Sequence, residues 1–171
     1  PPAPPPPPAP PPAPAAGPRT AVVALLLAVA ATSLSACVGA IPEPMVDAGA
    51  AASTNAQSQV GVPYVYGGST PGKGFDCSGL TSWAWREAGY AIPRTSASQY
   101  SFTERISRDQ LRPGDLVFYG YSGVSHVVMY IGGGNIVHAP GSGRYVRVEA
   151  LSSYWTAALI GYGRVPASAA V

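Results

Sequence analysis

Three side chains of this chain have the types and spacing for nucleophilic catalysis. Cys77 stands in Phe75-Asp76-Cys77-Ser78-Gly79-Leu80, immediately ahead of residues with helical spacing. A cysteine at a helix amino end has its thiolate favoured by unpaired amides and by the helix dipole. Ser78 and Gly79 are small enough to let a substrate backbone approach the sulfur, and the Cys77 amide can face a developing oxyanion. Taken alone, such a cysteine reads more often as a small inert core residue. The chain's two histidines, His126 and His138, add a base and an orienter. His126 opens one apolar run and His138 ends the next, so a tight hairpin through Gly132-Gly133-Gly134 brings both imidazoles to one place. One ring then takes the thiol proton while the other fixes its tautomer. The competing reading is a pair of histidines satisfied by core hydrogen bonds. A zinc site is the weaker alternative, because no short ligand pair such as Cys-x-x-Cys is present. No metal and no organic cofactor is expected.

The elements that must carry these residues follow from pattern. Residues 50–60 suit a helix that stops at Gly61-Val62-Pro63, since proline disfavours helical geometry in the residue before it. Turns follow at Tyr66-Gly67-Gly68 and Pro71-Gly72-Lys73-Gly74. Leu80, Trp83, Ala84 and Ala88 then mark a second helix from Cys77 to a left-handed cap at Gly89. Trp83 and Trp85 read as packing and surface residues of that helix. After Pro113-Gly114-Asp115 come β-branched and aromatic runs at 116–119, 126–131, 135–138, 144–148 and 159–165, separated by glycine-rich turns. Helices first and an antiparallel sheet of five to six strands afterwards make an α+β domain, here expected over 50–166, with a flexible end at 167–171.

The amino-terminal part has a different composition. Residues 1–18 are almost entirely proline and alanine and form neither a ladder nor a core, which leaves an extended or disordered tail. Arg19 then precedes an apolar run shorter than the roughly 20 residues that a membrane span needs. The order of charge and then apolar run is that of an export signal, assigned to 19–37. Its end, Leu34-Ser35-Ala36-Cys37, resembles the lipobox of bacterial lipoproteins, which implies lipidation of Cys37 and a membrane anchor. The alternative is an ordinary signal peptide with an incidental cysteine. Residues 38–49 read as a linker. Either way the domain is expected to work outside the cytoplasm, in the cell envelope.

Composition narrows the partners. Charged residues make up 11% of the chain and the formal net charge is +2, too little and too scattered for a nucleic-acid binder. The two cysteines lie in unlike surroundings and do not suggest a disulfide framework. A monomer is the expected state.

Beyond these readings, the chain resembles the NlpC superfamily of bacterial cell-wall cysteine peptidases, which have a papain-like α+β fold. The resemblance runs over about 50–165. It rests on Pro63-Tyr64-Val65-Tyr66-Gly67-Gly68, Phe75-Asp76-Cys77-Ser78-Gly79-Leu80, Pro93-Arg94-Thr95-Ser96, Leu111-Arg112-Pro113-Gly114-Asp115-Leu116, Ser125-His126-Val127-Val128 and His138-Ala139-Pro140, in the family's order. It implies Cys77 as nucleophile, His126 as base and later acid, and His138 as the polar third member. It places Tyr64 beside the sulfur and makes Asp76 and Arg94 candidates for contacting substrate. For Asp76 a helix cap is the equal alternative. The family usually has Val at the position of Thr81 and often Trp at that of Tyr66. The implied reaction is hydrolysis within peptidoglycan stem peptides, most often after D-γ-glutamate. The rivals are a wall-binding module without catalysis, and an amidase or acyltransferase using the same cysteine.

Overall fold

The computed structural model describes residues 43–171. The proline-rich tail, the expected export signal at 19–37 and Cys37 lie outside these residues. Helix α1, Glu43–Gln57, begins earlier than the pattern suggests, so the expected linker is helical from residue 43 onward. Alanine-rich sequence with few large apolar groups looks like a spacer, yet alanine is the best helix former. In α1 the small residues Ala48, Ala52, Ser53 and Ala56 form one buried stripe against the rest of the core. Close approach is the reason for their size: a Cβ on Gly49 would lie 2.5 Å from the Pro113 carbonyl oxygen.

A short pair, β1 (Ser69–Thr70) and β2 (Gly74–Phe75), leads into α2, Cys77–Glu87. The seven-residue helix α3, Ser96–Phe102, follows and was not evident in the sequence. Its buried Gln99 donates to the Ser78 and Pro93 carbonyls and accepts from the Thr81 hydroxyl at 2.8 Å. Thr81 thus has a partner that valine could not serve. This network fixes α3 and the chain around Arg94 to the amino end of α2.

The main sheet is antiparallel throughout, in the order β3 (Glu104–Ile106), β8 (Leu159–Arg164), β4 (Leu116–Tyr119), β5 (His126–Gly132), β6 (Asn135–His138) and β7 (Arg147–Ala150). Alternation divides its side chains between two faces. Leu116, Phe118, Val127, Met129 and Val137 pack in the same cluster as α1 and α2, whereas Val117, Tyr119, Val128 and Ile136 pack beneath Leu111, Leu151, Leu159 and Tyr162. Burial on both faces explains why β4 and β5 read as continuous apolar runs. Trp83 and Trp85 are both core residues, and the Trp85 indole donates to the Gly114 carbonyl at 3.2 Å.

Two expected boundaries are corrected by backbone pairing. Residues 144–146 do not continue β7; they pair with the 61–64 segment, the Tyr64 amide donating to the Arg144 carbonyl and the Val146 amide to the Val62 carbonyl. The carboxyl end at 167–171 is not loose. Ala169 is buried, and backbone bonds join Ala91 to Ala169 and Val171 to Gly89.

Candidate active site

Asp76 is the N-cap of α2, its Oδ1 accepting from the Gly79 amide at 2.6 Å, so Cys77 occupies the first helical position. Oδ2 of the same carboxylate accepts from the Gly67 amide at 3.0 Å. Arg94 adds a two-pronged pair, Nη1 to Oδ1 at 2.9 Å and Nη2 to Oδ2 at 2.8 Å, and also reaches the Gly68 carbonyl and the Ser78 hydroxyl. The cap reading of Asp76 is therefore realised, and the Arg94 fork is already occupied within the protein. The turn at 65–68 lies so close to α2 that a Cβ on Gly79 would stand 2.0 Å from the Gly68 oxygen.

Cys77 lies half-buried at the floor of a cleft of about 470 Å³, with Tyr64, Tyr66, Arg94 and Ser125 around it. Burial pushes its thiol above the usual value, and the Asp76 charge adds to that. The backbone amide of Val127, with those of Ser78 and Cys77, opposes the rise without cancelling it. The helix start alone does not yield a populated thiolate, contrary to the simplest expectation from position. Tyr64 titrates above its ordinary range, chiefly through burial and then through Cys77 and Asp76, which places its hydroxyl in the field of both.

The Val127 amide that faces the sulfur belongs to the residue after His126, so the first turn of α2 meets β5 at its histidine end. The hairpin from β5 to β6 turns through Gly133 and Gly134, at φ +60° and +75°, where side-chain-bearing residues are disfavoured. It sets His126 Nε2 3.0 Å from His138 Nδ1, the two rings crossing nearly edge to face. The His138 side chain is fully buried, and its Nε2 lies 3.4 Å from Glu149 Oε2. Glu149 Oε1 in turn pairs with Arg147. Both imidazoles are lowered to about 4: burial is the main cause, reinforced at His126 by His138 and at His138 by Arg147 and Arg144. At neutral pH both rings are therefore uncharged, the state in which an imidazole can accept a proton.

Six of the residues singled out in the sequence thus fall into a cleft and a histidine pair: Tyr64, Asp76 and Arg94 beside Cys77, and His126 joined to His138. Arg147 and Glu149 are additions that the sequence reading missed. Their signal was an opposite-charge pair two residues apart, hence on one face of β7, beside the strand that ends in His138. Among the described residues, no group of three or more His, Cys, Asp and Glu side chains is arranged to hold a metal ion.

Comparison with known proteins bears on this arrangement. A model of the NlpC/P60 family matches residues 61–164. The probable endopeptidase p60 of Listeria monocytogenes is 46% identical over 112 residues, covering 64% of this chain and 22% of that protein. The gamma-DL-glutamyl hydrolase of Bacillus subtilis is 35% identical over 113 residues, covering 64% of this chain and 27% of that protein. The chain therefore spans only about a quarter of these relatives' length. The structure of the peptidoglycan hydrolase RipB from Mycobacterium tuberculosis superposes with a TM-score of 0.64 at 33% identity, covering 73% of this chain and 68% of that one.

Proposed function

Because the chain belongs to the NlpC/P60 family, we propose that it is a cysteine peptidase of the bacterial cell envelope that cuts peptidoglycan stem peptides, between D-γ-glutamate and the following diamino acid. The observation that carries this reading is the Cys77 sulfur at a helix start, met by the amide next to His126, with His126 joined to His138. The named activities of the p60 and gamma-DL-glutamyl relatives support the choice of substrate and bond.

In this mechanism Nε2 of His126 is engaged by His138, and Nδ1 is the nitrogen that serves the thiol. As the sulfur attacks the scissile carbonyl, its proton passes to Nδ1, and the carbon–sulfur bond forms while the carbonyl electrons move to oxygen. The Cys77 amide, held at the first position of α2, faces that oxyanion. Imidazolium then gives its proton to the leaving amine as the C–N bond breaks. Water, deprotonated by His126, attacks the thioester and releases the acid and the free thiol. Because burial disfavours the thiolate, proton removal is coupled to attack and not completed beforehand. Tyr64, Asp76 and Arg94 form the wall along which the stem peptide lies. Attachment to the membrane through a lipidated Cys37 belongs to the same proposal.

The test is incubation of the full chain and its Cys77→Ala variant with peptidoglycan fragments, with products identified by mass spectrometry. The expected result is wild-type release of peptides cut after D-γ-glutamate and no release by the variant. Release of intact stem peptides from the sugar would instead make the enzyme an amidase. Binding without cleavage by either form would leave a tethered wall-binding module.

A further inference from the structure

We infer that Glu149, held by Arg147, is a positioning residue that fixes the tautomers of both histidines and so decides which nitrogen of His126 is offered to Cys77. The inference rests on His126 being the base for that sulfur.

The argument is one of donors and acceptors. An ionised carboxylate only accepts hydrogen bonds. Glu149 Oε2 lies 3.4 Å from His138 Nε2, a contact that falls short of full hydrogen-bond geometry but sets a carboxylate oxygen where a ring proton is favoured over a second lone pair. Glu149 Oε1 is taken by the Arg147 guanidinium, which turns the carboxylate toward the imidazole. The proton of a neutral His138 is therefore held on Nε2, and its Nδ1 carries a lone pair. That lone pair points at His126 Nε2, 3.0 Å away. His126 must then donate from Nε2, which leaves its own lone pair on Nδ1, the state a thiol base requires. With the opposite tautomer of His138, His126 would carry its proton on Nδ1 and could not accept from Cys77.

Register explains how three strands build this chain. Arg147 stands opposite His138, and Glu149 stands opposite Ile136, so the carboxylate reaches His138 on the diagonal between β6 and β7. The charged groups facing His138 are Glu149 and Arg147 from β7 and Arg144 from the turn before it, with His126 on β5. The two arginines disfavour a doubly protonated His138, which would donate from Nδ1 and reverse the sense of the relay.

The chain has two histidines, so long-range proton–nitrogen correlation spectra of the ¹⁵N-labelled full chain report both tautomers directly. The expected result near neutral pH is protonated Nε2 and bare Nδ1 on each ring. A His138 protonated on Nδ1 overturns the inference, and this readout needs no substrate, so it is independent of whether the chain cleaves peptidoglycan. In the Glu149→Gln variant, whose amide can donate or accept, His138 is expected to become a tautomer mixture. Turnover should fall about tenfold with KM little changed, as when an orienting partner of a functional histidine is lost, and Glu149→Asp should recover part of it. A Glu149→Gln variant that keeps the wild-type rate overturns the inference. So does one that loses the rate while His138 keeps its wild-type tautomer, because Glu149 would then matter only to folding. Should the variant fail to fold, the wild-type spectrum decides alone.

Discussion

Asp76 receives both terminal nitrogens of Arg94, at 2.9 and 2.8 Å, with the same carboxylate that caps the helix beginning at Cys77. One ion pair therefore determines where the nucleophile's helix starts and how much negative charge the thiol feels. Asp76→Ala removes the cap, costing about 1 kcal/mol, and leaves the partly exposed Arg94 fork without its carboxylate, holding only the Gly68 carbonyl and the Ser78 hydroxyl, for a combined loss of roughly 2 kcal/mol. Arg94→Lys keeps the charge but not the fork and should cost less. Urea denaturation of the two variants measures both, and an Asp76→Ala chain as stable as wild type would refute the dual role.

Gly79 gives a prediction opposite in sign to helix propensity. In an open helix interior, Gly→Ala stabilises by about 1 kcal/mol. Here the added Cβ would meet the Gly68 oxygen at 2.0 Å and Asp76 Oδ1 at 2.9 Å. Backbone cannot move aside as a side chain can, so Gly79→Ala should push the 65–68 turn from α2 and open the cleft. We expect a loss of at least about 2 kcal/mol together with most of the activity. A stabilised or fully active Gly79→Ala protein would contradict this packing.

The histidine pair predicts how stability depends on pH. Both rings are lowered from the ordinary 6.5 to about 4. The unfolded chain therefore binds more protons than the folded one between these values. The stability that depends on neutral histidines is present above about pH 6.5 and is lost as pH falls toward 4. Near pH 5, unfolding should take up close to two protons from His126 and His138, measurable from the slope of unfolding free energy against pH. In the same window the rate of Cys77 alkylation should hold nearly constant down to about pH 5, since the base stays neutral. A rate that halves near pH 6.5 would show an ordinary, exposed imidazole instead.

How far the sequence announced this site depends on what each signal rested on. Cys77, His126 and His138 were legible because glycines and strand runs bracket them, and those same glycines make the hairpin that joins the rings. The sheet was legible because β4 and β5 are apolar on both faces. By contrast, α3 has only Gln99 buried, too little apolar periodicity to mark a helix. The β3 strand is a short edge with exposed charge. Residues 144–146 have strand-forming side chains, and only the tertiary partner at 61–64 decides which segment they pair with. Glu149 and Arg147 look like solvated charges of an edge strand until the register sets them beside His138.

The same reasoning separates the motif around Asp115 from catalysis. Asp115 is buried, accepts the Arg112 amide at 2.7 Å, and binds Arg164 through both carboxylate oxygens, at 3.0 and 2.7 Å. Burial raises its pKa even against the lowering effects of Arg164 and Arg112. The pair ties the start of β4 to the end of β8, on the central strands and away from the cleft. Removing one partner of a buried pair typically costs about 3–5 kcal/mol, because the other is left buried and charged. Asp115→Ala should therefore lower the unfolding free energy by about that amount. Molecules that remain folded should alkylate Cys77 at the wild-type rate, because nothing in the sulfur's surroundings has changed. A fully stable variant with a slowed Cys77 would reverse the assignment and make Asp115 part of the active site.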